Sequence, residues 1–170
     1  MKIIALILFS LFSVPPKSVH DFKITTLDGQ EVSLTKFKGK KILIVNTASK
    51  CGFTPQYADL EKLSAQYKDK LVVIGFPANN FGEQEPGTNA SIQEFCEQNY
   101  GVSFLMSEKV SVKGGDINEL FQYLTSAENP DFKGEVKWNF EKFLIDENGK
   151  LVHRFRSAVK PTSEEITKYL

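Results

Sequence analysis

Two short, unbroken apolar runs constrain the fold of this chain more than any other feature. The first lies in residues 41–47 and reads Ile-Leu-Ile-Val at its centre, and the second covers residues 71–76. A strand that is apolar at every position is buried on both faces, as in a parallel sheet covered by helices. Because apolar residues recur at helical spacing in between, over residues 57–67, the sequence predicts a strand, helix, strand unit.

The remaining patterns extend this unit into one α/β domain. Ahead of it, residues 22–32 alternate around an Asp-Gly turn, which predicts a β-hairpin. Behind it come two amphipathic helices, a second hairpin over residues 142–155 and a helix near the C-terminus. This order is that of a thioredoxin-like domain, with a central mixed sheet flanked by helices, an N-terminal hairpin and one inserted helix. With 41% hydrophobic residues, a single such domain over residues 21–170 can bury a sizeable core.

The first twenty residues have a different character. Lys2 is followed by a mostly aliphatic run over residues 3–12 and then by Pro15 and Pro16. This pattern is typical of a secretory signal peptide, and the run is too short for a bilayer-spanning helix of about 20 residues. The alternatives are a buried N-terminal strand and a cytoplasmic protein. We expect residues 1–20 to act as a signal, with no small-residue motif to locate the cleavage site, and the mature protein to be periplasmic or extracellular.

Charge and composition narrow the class of partner. The 21 basic and 21 acidic residues cancel, so the net charge favours neither nucleic acid nor a membrane surface, and a small-molecule function is expected. Two cysteines in 170 residues provide neither a disulfide framework nor a zinc-ligand pair. Because His20 and His153 have no companions at ligand spacing, the sequence predicts neither a metal nor an organic cofactor.

Among the residues of this chain, Cys51 gives the clearest indication of a catalytic function. It follows the first core strand and precedes Thr54 and Pro55, which we expect to form the N-cap and the first position of the helix. Unpaired N–H groups and the dipole at a helix N-terminus favour an anion, here a thiolate. In a Cys-x-x-Cys motif the second cysteine would stand at position 54, where this chain has Thr54. Thiol–disulfide exchange between two neighbouring cysteines is therefore impossible here. A lone thiolate suits attack on a peroxide oxygen, which yields a sulfenic acid that thiols can recycle.

Peroxide reduction also needs hydrogen-bond donors for the departing oxygen. Neutral side chains on other predicted loops can supply them: Gln84 in the polar turn after the second core strand, and Trp138 and Asn139 before the second hairpin. Amide and indole N–H groups do not titrate near neutral pH, so these residues stay donors throughout that range.

Three stretches of the chain together resemble a known family. They are residues 45–54 around the cysteine, residues 75–87 around the glutamine, and residues 138–144, which begin with Trp-Asn. On these motifs, and from about residue 21 to the C-terminus, the chain is similar to cysteine-containing members of the glutathione peroxidase family. The match is specific because all three stretches occur in the family's order.

By this resemblance Cys51 is the peroxidatic residue, and Gln84, Trp138 and Asn139 complete the family's catalytic tetrad. The implied activity is the reduction of hydrogen peroxide and organic hydroperoxides through a sulfenic acid, with a thioredoxin-like protein or glutathione as reductant. Two other functions are compatible with the fold. One is a thiol–disulfide oxidoreductase, against which Thr54 argues, and the other is a peroxide-sensing redox relay.

The second cysteine departs from the family pattern. Many thioredoxin-dependent relatives carry a resolving cysteine one position beyond Cys96, where this chain has Glu97, and others carry it at the position of Ala78. Cys96 is therefore the single candidate partner for Cys51 within the chain. It either resolves the sulfenic acid or packs in the core on the apolar stripe that includes Phe95.

The connection between Tyr123 and Trp138 is another departure, because it is short. Tetrameric animal relatives carry a long insertion here that builds their subunit interface and helps to hold glutathione. By analogy we expect a monomer that prefers a protein dithiol as its reductant.

Overall fold

A computed structural model describes residues 18–170, and its strands and helices follow one another in the order that the sequence predicts. The strands are β1 (Lys23–Thr25), β2 (Glu31–Ser33), β3 (Lys41–Thr47), β4 (Leu71–Pro77), β5 (Leu105–Met106), β6 (Lys142–Ile145) and β7 (Leu151–Phe155). The helices are α1 (Gln56–Gln66), α2 (Asn89–Tyr100), α3 (Glu119–Ser126) and α4 (Glu164–Thr167), and short 3-10 turns cover Val19–Asp21 and Leu34–Phe37.

A five-stranded mixed sheet forms the centre of the domain, in the order β5-β4-β3-β6-β7. β3 pairs in parallel with β4 and antiparallel with β6, so β3 and β4, the two predicted core strands, are both interior strands of the sheet. β1 and β2 form a separate two-stranded hairpin. The predicted α/β architecture, with a mixed sheet, an N-terminal hairpin and flanking helices, is therefore confirmed.

Alternate residues of β3 enter two separate apolar clusters. Ile42 and Ile44 belong to a cluster that includes residues of α3, whereas Leu43 and Val45 belong to one that includes residues of α1, α2 and α4. Because strand side chains point alternately to opposite faces, the apolar run of β3 is covered on both sides of the sheet. Both cysteines belong to the second cluster, which places them on the same face.

The start of α1 differs from the prediction. The helix begins at Gln56, and its N-cap is Pro55, which makes no side-chain capping bond. Thr54, the expected N-cap, directs its hydroxyl instead to the backbones of Ala48 and Cys51. The Thr54 hydroxyl therefore stabilises the turn that carries Cys51 and does not cap α1.

The folded domain begins before residue 21, where the sequence analysis placed its boundary. Val19 is fully buried, and its N–H donates to the carbonyl of Gly149 at 2.9 Å. Residues 18–20 therefore belong to the fold. The rest of the predicted signal, residues 1–17, lies outside the described residues. Within residues 18–170, no helix is long and apolar enough to cross a membrane.

Lys142 on β6 is fully buried, and its ammonium group donates to the carbonyl oxygens of Ser157 and Val159 at 3.1 Å and 2.5 Å. Burial lowers the pKa of Lys142 from 10.5 to about 7, although the carboxylates of Glu141 and Asp59 oppose the shift. Between these pH values the unfolded chain binds more protons at this position than the folded chain does. The contribution of Lys142 to stability therefore rises with pH over that range.

We expect Lys142→Met to remove this pH dependence. From about pH 7 to about pH 10, the free energy of unfolding of the wild type should rise by roughly 1 kcal/mol per pH unit relative to that of the variant. Urea unfolding of both proteins at several pH values measures the difference. Parallel pH curves for the two proteins contradict the expectation.

Candidate active site

Cys51 lies in a tight turn between β3 and α1 and is buried, with 9% of the residue exposed. The Thr54 hydroxyl closes the turn, because it accepts the Cys51 N–H at 2.9 Å and donates to the carbonyl of Ala48 at 2.8 Å. The N–H of Phe53 is directed at Cys51 Sγ, at 3.4 Å. An N–H group aimed at sulfur stabilises negative charge on it, so the turn suits a nucleophilic thiolate.

Gln84 lies on a second loop, which follows β4 and is tied to the Cys51 turn. The N–H of Lys50 donates to the carbonyl of Gln84 at 3.0 Å. The loop turns sharply because Gly82 and Glu83 adopt left-handed backbone conformations, with φ of 60° and 51°. For Glu83 this conformation is strained, since a Cβ disfavours it. The structure thus brings the loops of Cys51 and Gln84 together.

Trp138 and Asn139 lie on a third loop, just before β6. The amide of Asn139 donates to Gln84 Oε1 at 2.9 Å, and Asn139 is fully buried. Trp138 is 40% exposed and packs on Phe81, with ring centroids 5.7 Å apart. Phe140, which follows Asn139, has a φ of 63°, a strained conformation that the loop imposes. Three loops that are far apart in sequence therefore meet at one site.

Asn46 positions this third loop, and the sequence analysis did not single it out. From β3, its amide donates to the carbonyl of Trp138 at 3.1 Å, and its carbonyl accepts the N–H of Glu141 at 3.0 Å. Its own backbone carbonyl accepts the N–H of Phe140 at 2.6 Å. The signal available in the sequence was a polar residue directly after the apolar run of β3, and the structure shows that its side chain is fully buried.

Glu141 is a second positioning residue that the sequence analysis missed. Its carboxylate accepts the N–H of Lys137 at 2.7 Å, which closes the loop of Trp138 and Asn139 on itself. The same carboxylate pairs with Arg154 at 2.9 Å and with Arg156 at 2.6 Å. Both arginines lie beyond the loop, at positions 154 and 156, so the sequence carries no local signal for these two ion pairs.

Glu85 is also buried beside the site, with 1% of the residue exposed. Its N–H donates to the side chain of Asn79 at 2.8 Å, whereas Oε2 of its carboxyl group has no hydrogen-bond partner. Burial raises the pKa of Glu85, and the nearby Ser49, Lys109 and Lys50 oppose that shift. The sequence analysis passed over this residue because the polar loop around it reads as solvent-exposed.

Cys96 is located on α2, in the same apolar cluster as Cys51. It is a free thiol with 1% of the residue exposed. Burial raises its pKa from 9.0 to about 11, and the nearby Glu85 and Glu97 act in the same direction. The thiol therefore stays protonated near neutral pH, in the apolar position that its stripe predicts.

We expect Cys96 in the folded protein to react with iodoacetamide at about pH 8 at least roughly 100-fold more slowly than in the urea-unfolded chain. The raised pKa alone lowers its thiolate fraction by about that factor. Peptide mass spectrometry in the Cys51→Ser background follows Cys96 alone. Equal rates in the folded and unfolded states contradict the expectation and indicate a thiol free to attack.

Both histidines have structural contacts. His153 Nδ1 lies 3.2 Å from Asp131 Oδ2, and its ring stacks on Tyr169 with centroids 3.8 Å apart. His20 is buried in the N-terminal 3-10 turn. Within residues 18–170, no three His, Cys, Asp or Glu side chains are arranged to hold a metal ion.

Known proteins resemble this chain in sequence and in structure. The family model of glutathione peroxidase matches residues 19–125. The chain is 52% identical over 154 residues to glutathione peroxidase-like peroxiredoxin GPX5 of Chlamydomonas reinhardtii, covering 89% of this chain and 95% of that protein. It is 48% identical over 151 residues to hydroperoxy fatty acid reductase gpx1 of Synechocystis sp., covering 85% and 89%.

A solved structure extends the comparison to the fold. The thioredoxin-family thiol:disulfide interchange protein of Chlorobium tepidum superposes with a TM-score of 0.68, over 92% of this chain and 97% of that chain. Because the two sequences are 15% identical, this likeness concerns the fold alone. The thioredoxin-like fold that the order of elements predicts is confirmed.

Proposed function

Because this chain belongs to the glutathione peroxidase family, we propose that it is a thiol peroxidase that reduces hydrogen peroxide and organic hydroperoxides at Cys51. The observation that carries this assignment to Cys51 is a pair of hydrogen bonds linking three loops. The N–H of Lys50 donates to the Gln84 carbonyl at 3.0 Å, and the Asn139 amide donates to the Gln84 side chain at 2.9 Å. Neither disulfide exchange nor simple binding requires neutral donors assembled in this way.

In the proposed reaction, the Cys51 thiolate attacks the terminal oxygen of the hydroperoxide. A sulfur–oxygen bond forms as the oxygen–oxygen bond breaks, so the sulfur is oxidised to a sulfenic acid and the peroxide is reduced. The second oxygen leaves as alkoxide or hydroxide and takes up the proton that the thiol released. Donors that meet this charge as it develops lower the barrier.

Gln84 and Trp138 supply those donors in our proposal. Since Asn139 occupies the side-chain oxygen of Gln84, the Gln84 NH₂ group is directed away from Asn139 and stays a neutral donor. The indole N–H of Trp138 is a second neutral donor. Asn139 thus acts by holding Gln84 in one orientation.

A thiol reductant returns Cys51 to its starting state. The incoming thiol attacks the sulfenic sulfur, water leaves, and a mixed disulfide forms, which a second thiol then reduces. We propose the dithiol of a thioredoxin-like protein as the reductant, with glutathione as the alternative. The burial and raised pKa of Cys96 favour an external thiol over Cys96 as the first attacker.

Rapid mixing of the reduced full chain with hydrogen peroxide tests this function. Trp138 is the single tryptophan of the chain, so its fluorescence reports events at the site. We expect oxidation with a rate constant of about 10⁴ M⁻¹ s⁻¹ or more, ending in one added oxygen on Cys51. Peptide mapping that finds a disulfide to Cys96 instead makes Cys96 the resolving residue, and a Cys51 that stays reduced contradicts the function.

We further propose that the protein is exported and monomeric. Export is supported by the apolar run that follows Lys2 in the sequence, and because Val19 is buried in the fold we propose a cleavage site ahead of Ser18. Terminal sequencing of the secreted protein and its elution volume in size-exclusion chromatography test the two statements. A protein that stays in the cytoplasm and still carries residues 1–17 contradicts export. Elution at the volume of a tetramer contradicts the monomer.

A further inference from the structure

Glu85 is a buried acid beside the site, and the proposed reaction gives it no role. It directly follows Gln84 and is 1% exposed, whereas Glu83, on the other side of Gln84, is exposed to solvent. Burying a carboxyl group costs free energy unless other groups of the protein hold it. A buried carboxyl group next to a proposed hydrogen-bond donor is therefore a candidate for a role in the reaction.

The backbone places Glu85 against the turn that carries Cys51. The N–H of Lys50 donates to the carbonyl of Gln84 at 3.0 Å, so the residues on either side of this bond, Ser49 and Glu85, are neighbours in space. The hydroxyl and the N–H of Ser49 face the Glu85 carboxyl group and favour its charged form. Because Ser49 lies two residues before Cys51, its contact with Glu85 fixes the beginning of the turn.

Other contacts hold the backbone of Glu85 in place. Its N–H donates to the side chain of Asn79 at 2.8 Å. The Lys109 ammonium group donates to the carbonyl of Glu85 at 3.4 Å and to that of Gly87 at 2.7 Å, and the N–H of Lys109 donates to the Asn89 side chain at 2.9 Å. The carboxyl group of Glu85 is thus carried by a fixed backbone and can act as a rigid link between two loops.

Two cations and two neutral groups face this carboxyl group. Lys109, from the segment after β5, and Lys50 favour its charged form. Tyr57 of α1 and Cys96 of α2 are also close to Glu85, and burial raises the pKa of both, so they stay protonated near neutral pH. The charge on Glu85 is therefore the one that changes first when the pH falls.

We propose that the Glu85 carboxylate is a positioning residue for Cys51, which holds the turn of the nucleophile in its reactive geometry through Ser49. The inference rests on the proposed peroxidase function, because it concerns the rate at which Cys51 attacks the peroxide. Burial raises the pKa of Glu85, and the protonated group no longer accepts both Ser49 donors. The reactivity of the Cys51 thiolate should therefore fall as the pH falls through the pKa of Glu85.

Two measurements on the reduced full chain separate this effect from the ionisation of Cys51 itself. The ultraviolet absorbance of the thiolate gives the ionised fraction of Cys51 at each pH. Stopped-flow fluorescence of Trp138 gives the rate constant for oxidation by hydrogen peroxide. The rate constant divided by the ionised fraction is the reactivity per thiolate, and in the wild type we expect it to rise with pH in one step between about pH 4 and about pH 8.

Three variants test the assignment. Glu85→Gln should abolish the step and lower the reactivity per thiolate at about pH 7 by roughly tenfold, because glutamine does not titrate and its one acceptor oxygen cannot serve both Ser49 donors. Lys109→Met should move the step to higher pH, because it removes a charge that favours the carboxylate. Glu83→Gln is the matched control: it removes an exposed charge from the same loop, and it should keep the step and change the reactivity by less than about twofold.

Circular dichroism verifies that each variant is folded, and Lys109→Met keeps the test decisive if Glu85→Gln does not fold. A Glu85→Gln protein that has the wild-type reactivity, or a lowered reactivity with the step unchanged, overturns the role of Glu85 while the peroxidase function stands. A step that Lys109→Met does not move has the same consequence. A wild-type Cys51 that hydrogen peroxide does not oxidise overturns the peroxidase function itself, and the inference with it.

Discussion

Cys51→Ser is expected to lower the rate of hydroperoxide reduction by about 10³-fold or more. A serine hydroxyl stays protonated at neutral pH, so the turn would hold a neutral oxygen where the reaction needs an anionic sulfur. The backbone of the turn should persist, since the Thr54 hydroxyl contacts the backbone of residue 51 and not its side chain. Stopped-flow fluorescence of Trp138 and steady-state peroxide consumption measure the loss.

Cys96→Ser is the matched control for this prediction. Cys96 is also buried but lies on α2, outside the three loops of the site, so the first oxidation step should proceed at nearly the wild-type rate. Circular dichroism of both variants verifies that they are folded. A Cys51→Ser protein that consumes peroxide as fast as the wild type, or an equal loss in Cys96→Ser, contradicts the assignment of Cys51 as nucleophile.

Glu141→Gln is expected to lower the free energy of unfolding by about 3 to 5 kcal/mol. The side chains of Glu141 and Arg154 are both fully buried, so removing the carboxylate leaves a buried guanidinium without its counter-charge. Glutamine keeps one acceptor oxygen, so its NH₂ group faces either Arg154 or the Arg156 and Lys137 N–H donors, which then lose their acceptor. This cost is a large share of the roughly 5 to 15 kcal/mol by which a domain is usually stable.

Urea unfolding followed by the fluorescence of Trp138 measures this change. Because Glu141 closes the loop of Trp138 and Asn139, we also expect slower oxidation of Cys51 in the folded variant. Glu128→Gln is the control, since its pair with Lys133 lies on the surface, with 83% of the Glu128 side chain exposed. An exposed pair contributes about 1 kcal/mol or less. Similar losses in the two variants contradict a special role for the buried network.

The fold could be predicted from the sequence because the patterns that determine it, apolar runs and helical spacing, lie within short stretches of the chain. The apolar run of β3 predicts a strand covered on both faces, and the two apolar clusters on either side of the sheet account for it. The spacing of apolar residues in α1 and α2 likewise marks their buried faces. The error at Thr54 has the same origin, since a threonine before a proline is a good local cap until a tertiary contact uses its hydroxyl.

The sequence alone determined the chemical type of the site and the loops that form it. Cys51, Gln84, Trp138 and Asn139 each follow or precede a strand that the apolar pattern predicts, and parallel β3 and β4 direct their carboxyl ends to one edge of the sheet. Residue type and strand position together were enough to nominate these side chains and the thiol chemistry they suit.

The tertiary structure alone decided how those side chains are held. Gln84 and Asn139 are 55 residues apart and Asn46 and Trp138 are 92 apart, yet each pair is joined by a hydrogen bond. Glu141 directly precedes β6, and Arg154 and Arg156 lie at the end of β7, so the pairing of β6 with β7 brings the carboxylate and the guanidinium groups together. The physical reason is that such bonds depend on strand register and on which polar groups are buried together, and neither property is encoded by any short stretch of the chain.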